Sequence, residues 1–249
     1  MDVHFPGETA AYRLARDRLL QQELDLRRIM ESIAEARRAL PPGGIVPTDY
    51  CFQGRRSDGT DGDIRLSELF SAGHNALAIY SYMFPRSRQD DRPGPASGST
   101  SQLPLGEGPC PSCTALLDQL DGAMPHLAQR MSFVVVAKAP LSRLLAFADE
   151  RGWRNLRLLS SETNTYNRDY LGENAAGSQQ PMLNVFVSDG DMIRHFWGAE
   201  LLYAPTDGAQ DMRHVGTLEP LWNMLDLTPD GRGTGWDEQL QYGCCGSSG

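Results

Sequence analysis

Cys110-Pro111-Ser112-Cys113 places two thiols two residues apart. The stretch behind them, Thr114-Ala115-Leu116-Leu117-Asp118-Gln119-Leu120, predicts a helix, so the pair opens that helix. Free N–H groups and the positive end of the dipole at a helix start favour a thiolate over a thiol. Cys110, at the start, is the expected nucleophile and the more exposed of the two. Cys113, one turn in, is the expected resolving thiol, which would release a mixed disulfide by attacking it. Zinc binding and inert core thiols are the competing readings. Zinc needs two more ligands at good spacing. Cys244-Cys245 are adjacent, an awkward bite for one tetrahedral ion, and His126 lies on a stretch that leads away from the motif. No second Cys-x-x-Cys exists. Dithiol chemistry is the favoured reading.

Other chemistry-bearing residues carry weaker signals. Cys51 falls in a strand candidate and reads as packing. Cys244-Cys245, on a Gly/Ser tail, read either as a neutral tail or as a second dithiol able to exchange with Cys110. His195 and Trp197, in the second hairpin strand, read either as neighbours of the site or as satisfied core or surface residues, the more common case for a strand His; His74 and His214 carry no spacing signal. The acid-rich Ser57-Asp58-Gly59-Thr60-Asp61-Gly62-Asp63 invites a calcium reading, but Leu69 stands where a calcium loop needs its twelfth-position Glu. It reads as a solvated hairpin turn.

The chain has 249 residues, 40% hydrophobic, enough for one sizeable core with appendages. A net charge of −9 with no basic stripe argues against nucleic acid as a partner. No apolar run is long enough for a membrane span. The N-terminus lacks a basic n-region and an apolar h-region, so a cytoplasmic location is the expectation. There a Cys-x-x-Cys works in catalysis or metal binding more often than as a structural bridge.

The elements that must position the thiols follow from periodicity. Residues 8–40 predict one long helix: Tyr12, Leu19, Leu26, Ile33 and Leu40 recur every seven residues. The helix reads as an arm packed on its own domain, with a homodimer through the N-terminal helix as the alternative. Pro41-Pro42-Gly43-Gly44 ends it. Ala76–Phe84 reads as a buried central strand, and residues 85–109, rich in Pro, Gly and Ser, as an insertion loop with mobile parts delivering the chain to Cys110. The helix after Cys110 is expected to run to about Arg130 with a kink at Pro125. Then follow a strand at 132–137, a helix at 141–151, a short strand at 156–160, and strands 181–188 and 192–197 around the turn Asp189-Gly190-Asp191. Met212–Leu225 reads as a last helix.

This order, a βαβ unit, a hairpin and a final helix, resembles the thioredoxin topology. In that fold a cis-proline precedes the hairpin strand and packs beside the dithiol. Pro181-Met182-Leu183-Asn184-Val185-Phe186 with Gly190 is similar to the corresponding pattern, which makes Pro181 a third candidate site residue. Pro181 as an ordinary trans proline at a strand start is the alternative.

Leu40-Pro41-Pro42, Asp49-Tyr50-Cys51-Phe52, Leu66–Phe70, Tyr82-Met83-Phe84, the Cys110 motif and Asp121–Leu127 resemble a bacterial thioredoxin-like family. That family is labelled predicted dithiol–disulfide oxidoreductase or domain of unknown function. The likeness continues through Ala139-Pro140-Leu141, Gly152-Trp153 and Leu225–Pro229. It implies the fold and says little about substrate. Departures from better-known relatives are plain: Pro109 replaces the Trp before the first Cys, and strand 76–84 has no buried Asp. Glu107 stands where a peroxidase of this fold has its Thr. The expectation is therefore an α/β thioredoxin-like domain over 45–228, a helical arm over 1–44 and a tail over 229–249. It exchanges thiols and disulfides on a protein or small thiol. It uses no cofactor and no metal, takes electrons from a separate reductase, and has no nucleic-acid or membrane partner. A non-catalytic binding protein and a zinc-stabilised domain are the alternatives.

Overall fold

The computed structural model describes residues 4–190, 192–206, 218–228 and 235–242. The chain forms two compact units, Met1–Gly43 and Gly44–Gly249.

The first unit is one helix, α1 (Ala10–Arg38). Thr9 caps it by accepting a hydrogen bond from the Tyr12 N–H, and Arg37 and Arg38 complement the dipole in the last turn. Arg13–Asp17 and Arg28–Asp25 pairs dress its polar faces. The heptad stripe finds no second regular element within this unit, among the described residues, to pack against.

The second unit is a seven-stranded mixed sheet. Its strands are β1 (Cys51–Arg55), β2 (Asp61–Arg65), β3 (Ala76–Tyr82), β4 (Ser132–Ala137), β5 (Leu158–Ser160), β6 (Met182–Ser188) and β7 (Ile193–Gly198), in spatial order β2-β1-β5-β4-β3-β6-β7. Strands β3, β4 and β5 are parallel, and β6 and β7 add to β3 as an antiparallel hairpin. The stretch β4-β3-β6-β7, with helical crossovers, is the thioredoxin core that the sequence order implied. The β1–β2 hairpin extends the sheet beyond it. Its turn is closed by the Thr60 N–H and hydroxyl on Asp58 Oδ1, as expected of a solvated turn.

Alternation along the central strands explains their continuous apolar runs. Leu77 and Ile79 of β3, with Val134 and Val136 of β4, face one core together with Phe52, Leu66, Leu69 and Tyr166. Ala78, Tyr80 and Tyr82, with Val135 and Ala137, face the other. That second core is closed by α2 (Pro111–Asp121) and α4 (Leu141–Arg151) through Leu116, Leu117, Leu144 and Phe147. Each of these fully buried Leu or Phe side chains contributes about 2 kcal/mol by removal from water.

Two expectations change, and a third falls partly outside the described residues. The helix after Cys110 does not kink at Pro125; it stops at Asp121 and a separate turn, α3 (Met124–Leu127), begins. Pro125 has no N–H to bond back to the Asp121 carbonyl, and the Asp121 side-chain carboxylate separately accepts the Arg154, Asn155 and Leu156 N–H groups. The insertion 85–109 is tied down. It opens with a cis Phe84–Pro85 bond and carries two short 3-10 turns, Ser99–Gln102 and Leu105–Glu107. Thr100 is buried against Glu150 of α4. Of the last helix only Pro220–Leu225 is described; His214, Asp191, Cys244 and Cys245 lie outside the described residues.

Candidate active site

Strand β3 runs straight into the site. The Cys110 N–H bonds the Met83 carbonyl at 3.0 Å, and the Arg86 N–H bonds the Gly108 carbonyl at 2.9 Å. The insertion thus leaves and returns at the same place, and Cys110 is delivered to the end of β3. Cys110 is the N-cap of α2, with Pro111 at the first helical position, where a missing N–H costs nothing. The Cys110 side chain makes no capping bond, so its sulfur is left to other partners. The Cys110 carbonyl accepts from the Thr114 N–H (3.0 Å) and the Thr114 hydroxyl (2.7 Å). The Thr114 oxygen in turn pairs with the Tyr82 hydroxyl at 2.8 Å. All of these groups are buried, so the first turn of α2 is clamped to β3.

The two thiols are driven in opposite directions. A hydrogen bond from the Cys113 thiol holds Cys110 below the ordinary thiol range. It outweighs burial and is assisted by the Cys113 N–H and by Arg92. Burial pushes Cys113 well up, and Cys110 pushes it further, although the Tyr80 hydroxyl bonds it. Tyr80 is fully buried, and burial together with the two thiols raises it far above an ordinary phenol. One thiol is thus biased to the thiolate and its neighbour is kept protonated, the asymmetry an attacking and resolving pair requires.

Arg92, from the insertion, stands over this pair. Its Nη2 lies 4.0 Å from Cys110 Sγ, and its Nη1 donates to Ser112 Oγ at 2.9 Å. Asp90 holds the guanidinium through both Nε (2.9 Å) and Nη2 (2.8 Å). The buried Arg86 donates from Nη1 to the Arg92 carbonyl at 2.6 Å and braces that turn. From the far end of the chain, Glu238 accepts the Ser112 hydroxyl at 3.0 Å. Sequence reading missed Asp90, Arg92 and Glu238. They lie 18 and more residues from Cys110 in segments without periodicity, and the only hint was the presence of charges in an otherwise Pro/Gly-rich insertion.

These covers correct one expectation. Cys110 is the less enclosed thiol, but only 2% of its surface is exposed, against 0% for Cys113. The helix start that should have faced water lies under Arg92 and Glu238. Pro181 begins the hairpin as expected, and its neighbour Met182 joins the core that holds both thiols. Ser81 pairs with Met182, so Pro181 stands at the same sheet end as Cys110. Its preceding peptide bond is trans, because Phe84–Pro85 is the one cis bond among the described residues. Trp197 packs against the thiol core, whereas His195 bonds Asn184 Oδ1 (2.9 Å) and lies against Tyr170 and Phe186, on the other face. Cys51 is half-buried in β1. No cluster of three metal-ligating side chains occurs among the described residues. A cleft of about 730 Å³ between Arg55, Glu68, Trp153 and Arg157 holds neither thiol.

Residues 2–242 match the model of a family of bacterial proteins of unknown function (DUF899). The chain belongs to this family. No curated protein matches the chain significantly. Similar solved structures include a peroxiredoxin-like protein from Aquifex aeolicus (12% identity, TM-score 0.38, 64% of this chain and 75% of that one). A Plasmodium vivax 2-Cys peroxiredoxin (15%, TM-score 0.41, 61% and 81%) and an exposed lipoprotein thioredoxin, Etrx1, from Streptococcus pneumoniae (14%, TM-score 0.36, 59% and 87%) are comparable. Likeness at this level carries no functional argument, and the fold assignment rests on the strand order. No helix among the described residues is long and apolar enough to cross a membrane.

Proposed function

We propose that this protein is a dithiol–disulfide oxidoreductase with Cys110 as nucleophile and Cys113 as resolving thiol. The observation that carries the reading is the opposite bias of two thiols one turn apart at the start of α2, with the Arg92 guanidinium 4.0 Å from the first sulfur. The Cys110 thiolate attacks a substrate disulfide. That S–S bond breaks, a Cys110–substrate bond forms, and the departing sulfur takes a proton. Cys113, on losing its proton, attacks Cys110 and frees the second substrate thiol. Two electrons pass to the substrate and the protein is left with a Cys110–Cys113 disulfide. Return to the dithiol requires an external thiol reductant, so a separate reductase belongs to this reading, and a reducing compartment such as the cytoplasm suits it. Pro181, at the same sheet end, would line the approach. The heptad stripe of α1 supports pairing with a second copy of the chain. Cys110→Ser should abolish reduction of a model disulfide while leaving the circular dichroism spectrum intact; retained reduction would sink the assignment. In glutathione buffers the wild type should form a reversible Cys110–Cys113 disulfide with a potential between about −300 and −120 mV.

A further inference from the structure

A buried nucleophile cannot reach a second sulfur until something moves, and what covers Cys110 has a definite chemistry. Residues 235–242 form no regular element and lie across the site as an irregular strap. The strap is fastened at three closely spaced residues. The Glu238 carboxylate accepts from Ser112 Oγ at 3.0 Å, and the Glu238 carbonyl accepts from Arg92 Nη1 at 3.0 Å. The Leu240 side chain is buried in the core that contains both thiols, and its carbonyl accepts from Arg151 Nη1 at 2.5 Å. The Gln241 side chain accepts from the Ala96 N–H at 3.3 Å.

The acid at the centre is poorly satisfied. Glu238 is 2% exposed, one of its oxygens has the Ser112 hydroxyl with Arg92 Nη1 at 3.8 Å, and the other is buried with no hydrogen-bond partner. A buried carboxylate so held is costly. Arg86 and Arg92 lie among Asp90, Glu238 and the Cys110 sulfur. Withdrawal of Glu238 removes one negative charge from beside Arg92, leaves the Ser112 hydroxyl without its acceptor and leaves Arg92 Nη1 with Ser112 Oγ alone, two residues from the attacking Cys110.

Resting on the dithiol reading, we propose that the strap occupies the substrate's place, and that Arg92 and Ser112 form a carboxylate subsite selecting acidic polypeptide disulfides. The arrangement specifies more than a charge. Two successive anchoring carbonyls, at Glu238 and Leu240, are held by arginine side chains, which a substrate backbone can reproduce. The buried Leu240 marks a pocket for an apolar side chain two residues after the acid. The recognised pattern is therefore acid–any–apolar, presented beside a disulfide.

The test uses the reduced full-length chain and the rate at which iodoacetamide alkylates Cys110, read by peptide mass spectrometry. Glu238→Ala should raise that rate over wild type by at least about threefold, the loss of a partly buried charged contact. A cysteine-free peptide bearing Glu-x-Leu should then slow alkylation of the variant again, and the matching Gln-x-Leu peptide should not. Equal rates in wild type and variant, or equal protection by both peptides, would overturn the proposal. Protection by succinate as strong as by the peptide would also overturn it, in favour of a small-acid site. If Glu238→Ala does not fold, Glu238→Gln, which keeps the Ser112 hydrogen bond without the charge, is compared in the same way. Alkylation needs no Cys110–Cys113 disulfide, so this result can fail while the redox titration succeeds, and the reverse.

Discussion

Thr114→Val tests whether the dithiol turn is clamped to the sheet by hydrogen bonding. Thr114 is 1% exposed and its oxygen joins two partners, the Cys110 carbonyl at 2.7 Å and the Tyr82 hydroxyl at 2.8 Å. One threonine hydrogen can serve only one of them, so Tyr82 donates to Thr114 and Thr114 donates to Cys110. Valine preserves the shape and removes both bonds. The Cys110 carbonyl keeps the Thr114 N–H at 3.0 Å and loses little. The Tyr82 hydroxyl is stranded in a core where Phe84 and Trp153 surround its ring. A buried unsatisfied hydroxyl costs about 1–3 kcal/mol, so about 2 kcal/mol is expected, a fall in Tm of about 4–8 °C for a chain of this size. Tyr82→Phe removes the stranded group. The double variant should therefore be about 1 kcal/mol more stable than the sum of the single effects. Urea denaturation followed by tryptophan fluorescence measures all three. Strict additivity would refute the reasoning, because the hydroxyls would then not be partners.

Two further outcomes follow from the charges. Removing the guanidinium beside Cys110 disfavours its thiolate. Arg92→Gln should therefore move the midpoint of the Cys110 alkylation profile upward, by about tenfold in proton concentration, while the loosened strap acts on the plateau rate instead. That shift is well short of the roughly 4 kcal/mol of an unshielded pair at this distance, because Asp90 screens it; an unchanged midpoint would remove Arg92 from the site. Burial alone would raise Asp121, but the Asn155, Arg154 and Leu156 N–H groups outweigh it and hold the carboxyl below its ordinary value. Its stabilisation is complete above the unfolded-state value and is lost as pH falls through the lower folded-state value. Asp121→Asn should cost about 1 kcal/mol at neutral pH, given its partial exposure, and progressively less in acid; a gap that persists in strong acid would contradict this.

The sequence made legible what depends on local pattern. Ala76–Phe84 and Phe133–Ala137 announced central strands because both faces of the sheet are covered, and alternation had therefore disappeared. The Cys-x-x-Cys announced its helix because Pro111 and the apolar spacing at Cys113, Leu116, Leu117 and Leu120 agree. What depends on distant chain segments meeting was not legible. Ser112 joins Glu238 across 126 residues and Arg92 reaches Cys110 from an aperiodic insertion. The burial of Cys110 is the sum of those contacts, so no reading of residues 110–120 alone could have shown it. Pro125 announces an irregularity that reads as a kink, whereas the helix ends at Asp121 and a new turn starts at Met124.

The cover over Cys110 also has a place in the order of synthesis. The last sheet strand ends at Gly198 and the acid that closes the site is Glu238, 40 residues later (238 − 198). At about 5–20 residues per second, those residues take roughly 2–8 s to make. Every strand of the sheet is therefore made before Glu238 and before Leu240, which fills a place in the thiol core. The cover on Cys110 is thus the last part of the described site to be made. A dithiol made before its seal meets whatever thiols surround it until Leu240 and Glu238 are in place.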